Sequence, residues 1–556
     1  MVTKVLKFIS REIGGLHEAA YLLGFFAILS QILALVRDRL FAYTFGASHT
    51  LDIYYAAFRI PDFIFVSIAS IVSVSVLIPF LMERIEKSEH EAKQFIDAIF
   101  SIFFFLIAMT AVVAYILTPV LLRWLFPAFE QDFSTLESMT RIMLLSPIFL
   151  GFSNFFASIT QVYRRFFIYA LSPILYNLGI IIGITVLYPI LGINGLAWGV
   201  ALGAFLHFFI QVPFVWRKSL FPSLNFRPKF AIIKQVVFVS LPRTIAASSN
   251  EISELFLVAL AASFAGGAVS IFNFAWNLQS VPLSIVGVSY SLAAFPVLTK
   301  LFSQGDRKKF LDQMIVSSKH IIFWSVSIMT LFIVLRAQIV RVILGAGNFN
   351  WSDTRLTAAA LALFAFSLVP QNLLLLFIRA YYSRGDTRRP LFVNIVSAGF
   401  IIALSYSLVH IFNTSLVFRY FIESLLRVDD LSGVSVLMLP LGFSIGVTIT
   451  MLVHWFIFEL SFRGYSSRVL RSFFQVVSAS IIMGYATYLM LNLFDNVFDI
   501  NTFVGIFLQG FLSGIVGIIT YVIILLALKN GELADIFVTL KKKIWKVKVV
   551  PPDTTV

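Results

Sequence analysis

Charged side chains are scarce in this chain, and several stand where apolar sequence surrounds them. Glu251 and Glu254 are three residues apart in an apolar run, hence on one face if that run is helical. Arg37, Asp38 and Arg39 close one apolar block, while Asp52, Arg59 and Asp62 punctuate the next. Arg243 follows Pro242, two helical turns before Glu251. These residue types offer recognition of charge. Arginine grips oxyanions bidentately, and neighbouring carboxylates raise each other's hold on a proton. A charge at mid-bilayer costs about 2.5–3.5 kcal/mol on insertion scales, so such groups usually face a wet cavity or a partner. Glu251 and Glu254 are thus candidates for a proton- or cation-responsive site, and Arg37, Asp52, Arg59 and Arg243 for a cavity lining.

Plainer readings stand beside these. Arg39 can snorkel at an interface, Asp52 can cap the start of its own helix, and Asp62 can satisfy backbone freed by Pro61. Arg243 can lie at the inner interface. A salt link from Arg243 to Glu251 requires both side chains to extend toward each other. Bond-making chemistry has little to build on. Cysteine is absent, so there is no thiolate ligand or nucleophile. Neither a G-x-x-x-x-G-K-[ST] loop nor H-E-x-x-H occurs. His207 and His454 read as packed or pore-lining, so no cofactor, no metal and no enzyme activity are expected.

The elements that position these residues follow from composition. The chain has 556 residues, 59% hydrophobic and 13% charged, against about a quarter charged in an ordinary soluble domain. Apolar blocks of about 20 residues suit the roughly 30 Å of bilayer hydrocarbon. They lack the period-2 alternation of barrel strands. The expected fold is an all-α polytopic membrane protein of about 14 transmembrane helices. The spans fall near 20–43, 52–82, 95–118, 137–161, 168–189, 192–215, 235–262, 268–299, 318–342, 354–379, 391–411, 434–460, 472–494 and 501–528. With the N-terminus inside, 31 of the 42 Lys and Arg fall in inside segments, the asymmetry that positive-inside insertion produces. Both termini are expected to be cytoplasmic. The net charge of +14 then reads as topology and attraction to anionic lipid, not nucleic-acid binding. Residues 412–433 read as an amphipathic insertion on the outer surface.

The chain also repeats. Pro79 matches Pro296, Pro173 matches Pro390 and Asn177 matches Asn394, all 217 residues apart, and IYYAAFRI (53–60) resembles IFNFAWNL (271–278) at 218. Gly195-x-x-x-Gly199 matches Gly442-x-x-x-Gly446, pairs suited to close helix packing. Two six-helix lobes in parallel repeat are expected, at 20–217 and 218–462. An amphipathic lead-in at 1–19 precedes them. Spans 13 and 14 (463–530) and a basic tail (531–556) follow. Repeat-built transporters place substrate between halves near the midplane and rock to alternate access.

Particular stretches carry a resemblance. ALVRDRLFAYTFGASHTLDIYYAAFRIPDF (34–63), GAGNFNWSDTRLTAAAL (345–361) and RAYYSRGDTRRP (379–390) resemble motifs of the MurJ (MviN) family. That family comprises lipid II flippases of the multidrug/oligosaccharidyl-lipid/polysaccharide exporter superfamily. The motif loops carry Asp353, Thr354, Arg379, Asp386, Thr387 and Pro390. The resemblance implies a basic central cavity, with spans 13 and 14 framing a groove for a polyprenyl tail. The family's cavity cations fall on Arg37 and Arg59, its aspartate on Asp52. Other cavity arginines fall on Gln31, Phe65 and Asn277, a glutamate falls on Ser280, and a sodium-linked aspartate falls on Leu257. The implied function is translocation of lipid II from inner to outer leaflet in the bacterial cytoplasmic membrane. The implied partners are a lipid-linked anionic saccharide and membrane lipids, with the protein a monomer. Three alternatives stay open: another lipid-linked oligosaccharide, a multidrug cation antiporter of the same superfamily, and a non-transporting membrane scaffold.

Overall fold

In hydrocarbon every backbone amide must find its partner within the protein, which selects the helix for apolar blocks of this length. The computed structural model describes residues 16–69, 74–225 and 230–544 and contains no strand among them. Its helices carry the expected spans in order. They are α1 (Leu16–Phe45), α2 (His49–Ile64), α3 (Glu89–Leu125), α4 (Phe133–Val162), α5 (Phe166–Leu191), α6 (Asn194–Arg217) and α7 (Phe230–Ala262). They continue as α8 (Ala268–Ser303), α9 (Arg307–Val334), α10 (Trp351–Ala365 with Leu368–Ser383), α11 (Arg388–Thr414), α12 (Val434–Ser461), α13 (Tyr465–Asp495) and α14 (Phe503–Ala527). By length and apolarity, 11 helices among the described residues can cross a membrane, or 12 if α10, bent by 42°, is one span. The expectation was about 14. The two further expected spans are those that fall on α1 and α2.

Polar residues at the turns set where helices begin. Ser48, Ser88, Asp306, Ser415 and Thr502 each accept a backbone N–H three residues on, filling a donor that the first turn leaves open. Prolines loosen the interior. A π-helical segment, Phe65–Ala69, follows Pro61 in α2, and another, Ser284–Val288, follows Pro282 in α8. The two lie 219 residues apart, close to the sequence repeat.

The chain forms two compact units. One comprises residues 1–278, 343–360 and 386–446, the other 279–342, 361–385 and 447–556. They group residues by packing and are not drawn along the sequence repeat. The first unit has a phenylalanine-rich core in which Phe95, Phe103, Phe155 and Phe156 are buried. Its α5 and α6 meet backbone to backbone. A Cβ on Gly199 would lie 2.4 Å from Gly183 Cα, and one on Gly179 would lie 2.2 Å from Gly203 Cα. Gly442 and Gly446 likewise lie against Ser405 and Ile401, so both small-residue motifs serve close packing. The expected insertion forms a helix, Leu416–Leu426, with Val417, Tyr420, Phe421 and Leu425 exposed.

The second unit is organised by α9, α13 and α14. The Tyr521 hydroxyl donates to the Phe323 carbonyl at 3.0 Å, and Ser318 and Tyr465 hydroxyls meet at 2.7 Å. His454 is fully buried against the Tyr381 ring, and in the first unit His207 bonds the Ser153 hydroxyl at 2.6 Å. Both histidines are therefore packed. The lead-in and the tail beyond residue 544 lie outside the described residues, as does the Arg243 side chain.

The α5–α6 contact is testable. Gly199→Leu should destabilise the protein by at least about 1–3 kcal/mol, because neither backbone can yield to the added side chain. Gly399, which has no atom within 4 Å of its Cβ position, should tolerate Ala. Thermal unfolding in detergent measures both; equal midpoints would reject the packing argument.

Candidate functional site

Five helices of the first unit converge on a cavity of about 330 Å³ lined by Arg37, Tyr55, Arg59, Asp62, Tyr176, Glu251, Glu254, Asn273 and Asn277 among others. Each charge arrives by helical spacing. Arg59 and Asp62 share a face of α2, and Glu251 and Glu254 share one of α7. Asn273 and Asn277 do the same on α8.

Arg59 is the central cation, only 7% exposed. It donates to Glu254 Oε1 at 2.5 Å and to Asn273 Oδ1 at 2.6 Å. Asn273 in turn donates to the Val269 carbonyl at 2.8 Å, which fixes its amide orientation. The guanidinium thereby joins α2, α7 and α8. Its Nε is buried without a hydrogen-bond partner, as is the Tyr55 hydroxyl.

Arg37 forms a second node. It holds Asp38 through Nε at 3.0 Å and Nη2 at 2.8 Å, and donates from Nη1 to Asn177 Oδ1 at 3.1 Å. The other Asp38 oxygen accepts from Asn277 Nδ2 at 3.2 Å. An amide thus occupies the position where the family resemblance places an arginine. Among the described side chains, two arginines face three carboxylates across the cavity (Asp62, Glu251 and Glu254), and each arginine already has an acidic partner. The basic cavity implied by the resemblance is therefore not what the described residues form: the site is acid-rich.

Asp52 is placed elsewhere. It is 2% exposed and accepts from Gly267 N at 2.6 Å, Ser270 N at 2.7 Å and Ser270 Oγ at 2.6 Å. It caps the start of α8, whereas Ser48 caps its own helix. A carboxylate suits a helix N-terminus because the free amides and the helix dipole both favour negative charge. Arg39 donates to the Ile343 carbonyl at 3.2 Å.

The motif-loop residues build turns. Asp353 accepts from Asn350 N at 3.1 Å and Ala47 N at 3.4 Å, and Thr354 donates to the Asn350 carbonyl at 2.9 Å. Asn348 ties the same loop to α1 through Tyr43 O at 3.0 Å and Thr44 O at 2.7 Å. Glycine is required there: Gly347 has φ +58°, and a Cβ on it would fall 2.3 Å from the Tyr43 carbonyl. Nearby, the Arg355 guanidinium holds Asp430 at 2.6 Å and keeps its carboxyl below the usual carboxylate range. Asp386 accepts from Arg389 N at 3.2 Å at the start of α11, with Thr387 as the flanking residue and Pro390 buried in the first turn. In the second unit Arg379 lies over the Phe295 ring at 5.4 Å.

Sequence reasoning assigned no cavity role to Asp38, Asn177, Asn273 or the tyrosines 55 and 176. Asn177 carried one signal, as half of the repeated P-x-x-x-N pair. The others look like ordinary helix residues until the helices are assembled.

The chain is similar in sequence and fold to known proteins. A family model, lipid II flippase MurJ, matches residues 41–509. The chain is 26% identical over 377 residues to the lipid II flippase MurJ of Burkholderia cenocepacia, covering 66% of this chain and 73% of that one. It is 26% identical over 513 residues to the probable lipid II flippase MurJ of Buchnera aphidicola subsp. Acyrthosiphon pisum, covering 89% and 94%. Its fold resembles a structure of lipid II flippase MurJ in an inward closed conformation, with TM-score 0.72, 22% identity, and coverage of 94% and 100%. It also resembles an inward-facing multidrug resistance transporter of the MATE family and MOP superfamily, with TM-score 0.64, 15% identity, and coverage of 79% and 95%. With a family model spanning most of its length, the chain belongs to the lipid II flippase MurJ family.

Proposed function

We propose that this protein moves a lipid-linked peptidoglycan precursor from the inner to the outer leaflet of the bacterial cytoplasmic membrane. The observation that carries the reading is the family match across residues 41–509, which takes in α2, α5, α7 and α8 of the cavity whole and the end of α1 from Phe41. Two six-helix lobes, at 20–217 and 218–462, would rock about the cavity, and α13 and α14 would accompany the lipid tail. Both termini face the cytoplasm in this scheme. A cytoplasm-dependent reporter fused at the C-terminus should be active and one fused between α3 and α4 silent; the reverse result would invert the topology.

The cavity chemistry suggests how an anion is handled. Arg37 and Arg59 can grip a diphosphate only if their carboxylate partners give way. A buried carboxylate that loses its cation is costly to keep charged, so displacement from Arg59 favours taking up a proton or another cation. Glu254 then serves as the placeholder for the substrate phosphate, and Glu251 and Asp62 beside it share the compensating charge. The excess of carboxylates also favours a second reading, a cationic substrate, against which the already paired arginines stand.

Complementation of a flippase-depleted bacterium, scored by lipid II in the outer leaflet, tests the first reading. The wild type should restore growth and Arg59→Ala should lose at least about tenfold of the transport rate, the scale of one charge-assisted contact. Failure of a well-expressed wild type would remove lipid II as the cargo. Coupling is read separately in proteoliposomes. Wild-type transport should respond to a pH difference, and Glu251→Gln with Glu254→Gln should remove most of that response. A wild type indifferent to pH would leave the carboxylates without a coupling role.

A further inference from the structure

A second cavity in the first unit, about 770 Å³, lies apart from the charged one, among α3, α4 and α6. Its size falls in the range of roughly 300–1,000 Å³ common for small-molecule sites. Its polarity is ordered along its length. At one end stand Glu137 and Arg141, one turn apart on α4, with Arg141 Nη1 donating to Glu137 Oε1 at 2.8 Å. Tyr115 of α3 lies beneath the Arg141 guanidinium at 4.6 Å. From this end α3 and α4 run antiparallel into the membrane. Two turns along, about 10 Å, the walls are Ala108 and Ala111 on one side and Leu145 and Ile148 on the other. The indole of Trp198 on α6 borders the groove and is 45% exposed.

Two details point to an occupant. The Arg141 side chain is 33% exposed, so the outer part of its guanidinium, away from the buried Nε, can meet a ligand oxygen. The Arg141–Glu137 pair also presents one cation and one anion side by side, a pattern complementary to a headgroup that itself carries both charges. Ser138 cannot take up that role, since its hydroxyl donates to Asn194 Oδ1 at 2.9 Å, tying α4 to α6. The apolar stretch that follows includes Val112, which is strongly exposed, as are Met109 and Ile116 on the same helix. It therefore faces lipid chains, not water, in any membrane-spanning arrangement of α3 and α4.

We propose that this groove holds one phospholipid with a zwitterionic ammonium–phosphate headgroup. The phosphate takes the exposed outer edge of the Arg141 guanidinium, and the ammonium takes Glu137. One acyl chain lies along Ala108, Ala111 and Ile148 beside Trp198. Because the Arg–Glu pair is neutral overall, an anionic headgroup without an ammonium leaves Glu137 facing a like charge and binds less well.

Native mass spectrometry of the full chain, released from nanodiscs of equimolar phosphatidylethanolamine and phosphatidylglycerol, tests the site. The wild type should retain one phosphatidylethanolamine in preference to phosphatidylglycerol. Arg141→Gln should reduce that retention about tenfold, the scale of one charge-assisted contact. Glu137→Gln should erase the preference between the two lipids. Val112→Trp fills the groove from its open side, where Val112 is 58% exposed and the core is undisturbed. It should abolish retention while leaving thermal stability in detergent unchanged. Equal phosphatidylethanolamine retention by the wild type and a folded Val112→Trp protein would overturn the proposal. So would an unaltered lipid preference in Glu137→Gln.

Discussion

An arginine cannot sit alone at membrane depth, and much of the cavity's architecture follows from meeting that constraint at Arg59. Its burial requires an anion, and Glu254 on α7 supplies one at 2.5 Å. The guanidinium fork has further donors to satisfy, and Asn273 on α8 accepts one of them. Breaking such a pair by removing one partner strands the other charge, a loss of about 3–5 kcal/mol when the pair is buried. The convergence of α2, α7 and α8 is therefore enforced by electrostatics as much as by apolar contact. In a bilayer that matters, because apolar side chains gain little by leaving lipid for one another.

Two of these helices, α2 and α8, are linked a second time at their starts. Asp52 caps α8, and its partner Ser270 stands 218 residues later, at the offset of the sequence repeat. The Ser270 hydroxyl also reaches the Ser48 carbonyl at 3.4 Å. Repeat-related helix starts thus meet, and a carboxylate in one copy serves amides in the other. Two like helix N-termini repel because their dipoles point the same way; a buried carboxylate between them offsets that repulsion. This is a physical reason for the asymmetry of acid in one repeat and hydroxyl in the other.

Much of the fold was legible because the bilayer reads only length and apolarity. Most spans from α3 to α14 fall within a few residues of their expected ends, α9 starting 11 residues early, and Gly195 and Gly199 pack as closely as their spacing implied, against Leu187 and Gly183. The charged site was legible in part. Arg37, Arg59, Glu251 and Glu254 do share one cavity, since helix periodicity and the cost of buried charge single them out. Partner choice was not legible. Nothing in the one-dimensional spacing says that Glu254 meets Arg59 across 195 residues, or that Asp52 serves α8 while Ser48 serves α2. Asn273 escaped because a single amide on an apolar helix carries no signal until the charge it faces is known, and Asn277 was placed in the cavity only by the family resemblance.

Of the stretches that resemble the family, 34–63 carries cavity residues, whereas 345–361 and 379–390 supply none of the cavity lining. Gly347, Asn348, Asp353 and Asp386 are held by backbone geometry, and few alternatives suit a positive φ or a carboxylate that must meet free amides. The cavity residues answer to a looser rule. A site that must neutralise a passing charge needs the sum of its cations and anions, and several arrangements yield the same sum. Asn277 where the resemblance places an arginine, together with Glu251 and Glu254 on α7, changes that sum toward acid without disturbing a single turn. The loop motifs thus answer to backbone geometry, while the charge balance of the helices is free to differ. Cargo and coupling in this chain must accordingly be argued from the charges of α1, α2, α7 and α8, not from its motifs.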